Sequence, residues 1–226
     1  MDSGCSRQDA LQPRGRGGEI VFPRIEGYLE NLETTRDAIL ADMERQATEL
    51  DFPIVGPLVG RTLCLLARSI GARRILELGS GFGYSGYWFA RALPEDGDLI
   101  LTDTSPQRMA QAREFFERGS IRCRVRFEVG DGLKILDRLP GEFDVIFNDV
   151  HKEQYPSAYE KAVPRLRVGG YFICDNMLWG GRVVDDVTHP STRGVLELTR
   201  LLFQAQDLYT AILPMRDGVS VSLKLR

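Results

Sequence analysis

Three features of the 226-residue chain predict an α/β protein built on a doubly wound, mostly parallel seven-stranded sheet with a C-terminal antiparallel hairpin. Short apolar runs rich in β-branched and aromatic residues alternate with helical patterns along residues 73–176, giving five strand–helix units. Two of these runs, FDVIFND and YFICDN, break off abruptly in acids and amides, as buried parallel strands do where they meet a ligand crevice. The last two apolar runs, YTAILPM and VSVSLKL, are separated by only the turn Arg216-Asp217-Gly218, a spacing that requires an antiparallel hairpin.

The chain is long enough for one sizeable α/β domain and too short for two full ones. One domain over 21–226 is therefore expected, with 21–56 as a peripheral helical segment. Residues 1–20 hold Arg7, Arg14, Arg16 and four glycines but no apolar stretch, and read as a flexible tail with no secretory signal. Apolar residues are 43% and charged residues 27%, with no run near the ~18 apolar residues of a membrane span. With 29 Lys plus Arg against 32 Asp plus Glu, the net charge of −3 gives no general pull toward nucleic acid. Cys5, Cys64, Cys123 and Cys174 have no metal-like spacing, which points to a reducing, cytoplasmic setting.

In chain order, Ile25, Tyr28, Leu29, Leu32, Ile39, Leu40 and Met43 have helical spacing, stopped by Asp51-Phe52-Pro53. A second helix follows Pro57 and ends at Gly71. Then come the strand RRILELG, a helix from Tyr84, the strand DLILTD, a helix from Pro106, the strand VRFEVGD and a helix from about Leu133. FDVIFND, a helix from about Tyr155, YFICDN and a helix over about 192–206 precede the hairpin.

Neighbouring strands ending in Asp149 and in Asp175-Asn176 deliver two carboxylates and an amide to one point. An all-oxygen set without Cys or a His pair suits Mg²⁺ or Ca²⁺ better than Zn²⁺. For each strand alone, a turn or a helix cap is the bland reading.

The first strand runs into Glu77-Leu78-Gly79-Ser80-Gly81-Phe82-Gly83-Tyr84-Ser85-Gly86. Glycines at alternate positions let the backbone turn tightly and approach a ligand. Gly81, Gly83 and Gly86 also spell a literal GxGxxG, which would suggest NAD(P) and an oxidoreductase. In the register set by the strand, however, Gly79 comes first and Tyr84 stands where the third glycine should be. Asp103, closing the second strand, can accept from both ribose hydroxyls of either cofactor. Asp131 can receive an adenine amino group or cap the following helix.

These motifs resemble a specific family, the cation-dependent O-methyltransferases that include catechol and caffeoyl-coenzyme A O-methyltransferases. The resemblance runs from about Val55 to the C-terminus, through ILELGSGFGYS, NDVHKEQY at 148–155, DNMLWGGRV at 175–183 and the terminal DGVSVSLK. It implies a class I methyltransferase (Rossmann-like) fold and S-adenosylmethionine held by Val55, Glu77, Gly79, Gly81, Tyr84, Ser85, Asp103, Asp131, Asp149 and His151. It also implies Mg²⁺, or another divalent cation such as Ca²⁺ or Mn²⁺, on Asp149, Asp175 and Asn176, with Lys152 as the base. His151 departs from the caffeoyl-coenzyme A pattern, which has an acid before the lysine. Trp179, in the loop after the metal ligands, can form an aromatic wall against a planar substrate or serve only in packing.

The expected substrate is a hydroxylated aromatic small molecule of catechol type, and the expected assembly a homodimer. Some relatives methylate a hydroxyuridine in transfer RNA, for which a basic surface around the pocket would be the sign. Arg122, Arg124 and Arg126 alternate near a strand start, but such a run is more often one solvated face. A cofactor-binding protein without catalysis is the remaining reading, opposed by the intact Asp149, Lys152, Asp175 and Asn176 set.

Overall fold

The computed structural model describes residues 23–32 and 37–226; the N-terminal tail expected over 1–20 lies outside these residues. The seven strands are β1 (Arg74–Leu78), β2 (Asp98–Asp103), β3 (Arg124–Val129), β4 (Phe143–Asn148), β5 (Leu166–Cys174), β6 (Leu208–Leu213) and β7 (Val219–Lys224). They form one sheet in the order β3-β2-β1-β4-β5-β7-β6. The first five are parallel, and β7 pairs antiparallel with both β5 and β6.

The chain crosses from one half of the sheet to the other between β3 and β4, which become neighbours of β2 and β1 respectively. This reversal opens a crevice beyond the carboxyl ends of β1 and β4. Alternation along each strand sends side chains to both faces. Ile75, Val145, Phe147 and Ile173 pack under α3 (Gly56–Ser69) and α4 (Tyr84–Ala90), while Leu76, Ile146 and Phe172 pack under α7 (Tyr155–Ala162) and α9 (Pro190–Gln204). All seven are fully buried. At roughly 25 cal/mol per Å² of apolar area, such residues dominate the stabilisation and fix where the strand ends project.

The helical stretch expected from Ile25 to Leu50 is divided into α1 (Pro23–Glu30) and α2 (Ala38–Glu49). Asp37 starts the second by accepting from the Ile39 N–H at 2.8 Å, an N-cap that reads from sequence only once the helix is known to begin there. Leu40 and Met43 of α2 are buried, whereas Ile25, Tyr28 and Leu32 remain exposed. The remaining helices are α5 (Pro106–Arg118), α6 (Gly132–Arg138) and α8 (Arg182–Asp185). A 3₁₀ turn over Lys152–Gln154 precedes α7. α9 begins at Pro190, two residues before the expected start, with His189 Nδ1 accepting from the Ser191 N–H.

Candidate active site

Beyond the carboxyl ends of the parallel strands lies a cavity of about 800 Å³. Val55, Gly79, Gly81, Tyr84, Ser85, Asp103, Asp131, Asp149, His151, Lys152, Asp175, Asn176 and Trp179 all line it, so one concavity gathers every candidate site residue except Glu77.

The glycine loop is fixed by the strand next door. Gly79 and Ser80 donate their N–H groups to the Thr102 carbonyl at 3.1 and 2.8 Å, and the Gly81 N–H reaches Asp103 Oδ2 at 3.0 Å. Gly79 has φ +85°, and a Cβ there would lie 2.4 Å from the Asp149 carbonyl oxygen, so the close approach of the β1 and β4 ends depends on glycine. Asp103 accepts from the Gly81 N–H with one oxygen and from the Ser105 N–H with the other, at 2.8 Å, which holds it at the rim. Asp131 caps α6 through the Leu133 N–H at 2.9 Å while lining the cavity, so the bland role and exposure to a ligand coexist. Gly86, the third glycine of the literal GxGxxG, sits inside α4 against Leu101 and Glu77, away from the cavity.

Glu77 is fully buried behind the loop, where its Oε1 accepts from Ser85 Oγ. That position holds the loop from behind and does not line the cavity. Burial pushes its carboxyl up to about 8, against smaller opposing effects of hydrogen bonds from Ser85 and Ser80. The folded protein thus keeps a proton that the unfolded chain gives up above pH 4.5, so stability falls as pH rises through the window from 4.5 to about 8. Glu77→Gln is expected to flatten that loss, raising stability at pH 9 by on the order of several kcal/mol relative to wild type. Urea unfolding at pH 6 and pH 9 checks this; an equal pH dependence in both proteins would refute it.

The opposite wall carries the acids. Asp149 Oδ1 accepts from Lys152 Nζ at 2.9 Å, three residues on at the start of the 3₁₀ turn. The Lys152 ammonium also lies 5.3 Å from the Tyr155 ring centroid and 5.4 Å from that of Trp179, within cation–π range of both. Asp175 is 5% exposed, and its Oδ1 is buried with no hydrogen-bond partner among the described residues. Burial, reinforced by Asp149, pushes its carboxyl up to about 7, and burial raises Asp149 as well. Asn176 follows at φ +58°, a left-handed conformation that Asn tolerates better than most residues.

An orphaned carboxylate oxygen, two acids raised by confinement and a neighbouring amide form a donor set that a hard divalent cation would satisfy. Among the described residues no group of three His, Cys, Asp or Glu side chains stands in metal-binding proximity; the set here is two carboxylates and an amide.

Four residues outside the candidate set support the site. Tyr155 is fully buried and donates from its hydroxyl to the Asp175 carbonyl at 2.8 Å, bracing the end of β5. Asn148 Nδ2 donates to Cys174 Sγ at 3.0 Å, tying β4 to β5 just below the acids. Phe52 reaches over the loop and is capped by the Arg108 guanidinium 4.8 Å from its ring centroid. Tyr155 and Asn148 fall inside the NDVHKEQY motif, but what each of the four touches depends on tertiary approach.

Arg124 and Arg126 are paired with Asp98, and Arg122 with Glu95, at the starts of β2 and β3. Parallel strands put that end of the sheet opposite the cavity, so the arginine run does not rim the site.

The strand order with its reversed penultimate strand, together with a glycine loop and a cavity at the carboxyl ends, defines a class I methyltransferase fold. The O-methyltransferase family profile matches residues 31–225, and the chain belongs to that family. A probable O-methyltransferase of Mycobacterium tuberculosis is 32% identical over 220 residues, covering 94% of each chain. A catechol O-methyltransferase of Niastella koreensis is 32% identical over 215 residues, covering 90% of this chain and 97% of its own. Among solved structures, the O-methyltransferase TomG of Streptomyces achromogenes, involved in tomaymycin synthesis and crystallised with S-adenosylmethionine, superposes with a TM-score of 0.81 at 29% identity, covering 90% of this chain and 96% of its own.

Proposed function

We propose that the protein is an S-adenosylmethionine-dependent, divalent-cation-dependent O-methyltransferase acting on a hydroxyl of a catechol-like small molecule. The observation that carries the cation and the vicinal diol is the orphaned Asp175 Oδ1 beside Asp149, Asn176 and the Lys152 ammonium. The cofactor half of the cavity rests on the glycine loop and Asp103, and TomG's bound S-adenosylmethionine supports that assignment.

In this reading Gly79, Gly81, Tyr84, Ser85 and Val55 surround the methionine end, Asp103 accepts from the ribose, and Asp131 and His151 flank the adenine. Asp149, Asp175 and Asn176 would hold Mg²⁺, Mn²⁺ or Ca²⁺, which supplies Lewis-acid stabilisation of the deprotonated substrate oxygen. Lys152 Nζ, as the neutral amine, takes the hydroxyl proton and becomes the ammonium, which Asp149 and the two flanking rings hold in place. Trp179 closes the side toward the ring of the substrate. The oxygen then attacks the sulfonium methyl in line, and fixed orientation of the two reactants is worth on the order of 7–11 kcal/mol in favourable cases.

Arg108 is the one arginine among the described residues lining the cavity, and the Arg122, Arg124 and Arg126 run is paired with acids at the other end of the sheet, which favours a small substrate over transfer RNA. No helix among the described residues is long and apolar enough to cross a membrane. A cytoplasmic homodimer, with one domain over 21–226, belongs to the same reading, and the exposed Tyr28, Leu32 and Leu65 on α1, its C-terminal flank and α3 support a contact there.

Methyl transfer to a simple catechol, assayed with Mg²⁺ and with excess chelator, tests the proposal. Turnover is expected with the metal and is expected to fall by about three orders of magnitude without it, since Lewis-acid stabilisation is worth several kcal/mol. Undiminished turnover in chelator would remove the cation from the mechanism. No turnover despite cofactor binding would remove catechol as the substrate class.

A further inference from the structure

We infer that Asp217 is a positioning residue for the cation site, acting through the side-chain amide of Asn176; this rests on the cation-binding reading above. From the sequence, an aspartate between Arg216 and Gly218 is an ordinary turn residue. In the structure its side chain turns back from the hairpin onto the loop that follows β5. Asp217 Oδ2 accepts from Asn176 Nδ2 at 3.2 Å, and Oδ1 accepts from the Gly180 N–H. Backbone bonds run beside them, from the Leu178 N–H to the Asp217 carbonyl at 2.8 Å and from the Met177 N–H to the Gly218 carbonyl at 2.9 Å. Gly218, at φ +82°, allows this approach, since a Cβ there would lie 2.5 Å from Leu178 Cγ.

The loop needs such stitching. Asn176 at φ +58° and Trp179 at φ +48° are both left-handed without being glycine, each costing on the order of 1–3 kcal/mol, and such strain persists only where neighbours over-determine it. The carboxylate also decides which way the amide faces. It can only accept, so the nitrogen of Asn176 must point toward Asp217, and Oδ1 is the end left for a cation beside Asp149 and Asp175. Without an obligatory acceptor at 217, the amide can rotate by half a turn and present its NH₂ group to the site.

The test uses Mn²⁺ alone, followed through the electron paramagnetic resonance signal of the free ion, on the purified full chain. Asp217→Asn keeps the size but adds a donor, so Asn176 loses its enforced orientation, and Mn²⁺ affinity is expected to fall by about 10–100-fold. Asp217→Ala, which has no acceptor, is expected to fall at least as far. S-adenosylmethionine binding without metal is expected to stay at the wild-type level in both, as Asp217 does not line the cofactor half. In an Asn176→Ala background, Asp217→Asn is expected to add almost nothing, because its route to the ion is already gone.

Mn²⁺ affinity within about twofold of wild type in Asp217→Asn would overturn the inference. Full additivity with Asn176→Ala would also overturn it, by showing that Asp217 acts through its charge and not through the amide. A wild-type chain that binds no Mn²⁺ defeats the cation reading itself, and the inference with it.

Discussion

Asp149→Ala is expected to lower kcat for methyl transfer by about three orders of magnitude or more. The size follows from how many tasks meet on one carboxylate. Asp149 ends β4 next to the β1 loop, where its N–H bonds to the Leu78 carbonyl at 2.8 Å and its carbonyl lies where a Cβ on Gly79 would collide. Its Oδ1 holds Lys152, and its charge is felt by Asp175. Losing the side chain removes one of the three proposed cation ligands and also leaves the base without its anchor. Lewis-acid stabilisation alone is worth several kcal/mol, and each 1.36 kcal/mol is a factor of ten.

The backbone bonds at 149 survive the substitution, so folding should not collapse. A buried acid whose proton affinity is raised is, if anything, a cost to the folded state above its normal pKa. Cofactor binding by calorimetry and kcat at saturating substrate separate the effects. A variant retaining a tenth or more of wild-type kcat would mean that the cation, or its place on Asp149, is misassigned.

The legibility of this site in the sequence follows from strand physics. Buried parallel strands must be apolar almost throughout, so an acid or amide at the end of FDVIF or YFIC stands out, and the topological switch brings the ends of adjacent strands together. That is why the sequence itself puts Asp149, Asp175 and Asn176 on one wall. The glycine loop was legible for a similar reason, as alternate glycines have few other uses directly after a strand.

Asp217 was not legible, because an Asp-Gly turn is what any hairpin uses, and nothing local says that the side chain folds back 41 positions to Asn176. Glu77 was expected at the cofactor, but its burial behind the loop was not legible. A charge in a strand can face a ligand or be buried behind a loop, and only packing against Ser85 and Gly86 distinguishes them. The split between α1 and α2 was hidden because one apolar spacing runs through both halves, while burial of Leu40 and Met43 but not Ile25 depends on which half packs against α4 and α5.

Lys152→Met is expected to lower kcat by about 10²–10⁴-fold, the range of general acid–base catalysis, while leaving Mn²⁺ and cofactor affinity near wild type. Methionine keeps the apolar stem against Tyr155 and Trp179, so packing is not the variable. The informative comparison is Lys152→Arg. A guanidinium restores the charge beside Asp149 and can still sit over both rings, but it does not give up a proton in a protein. If Lys152 serves as a base, the arginine variant is expected to be nearly as slow as methionine. If it serves only as a fixed positive charge near the substrate oxygen, arginine is expected to recover most of the rate. The two substitutions together therefore ask what the ammonium does as well as whether it matters. The 2.9 Å contact with Asp149 is compatible with a base only because the carboxylate can hold the amine in place through both of its protonation states. An arginine variant as fast as wild type would leave proton removal to solvent and reduce Lys152 to an electrostatic role.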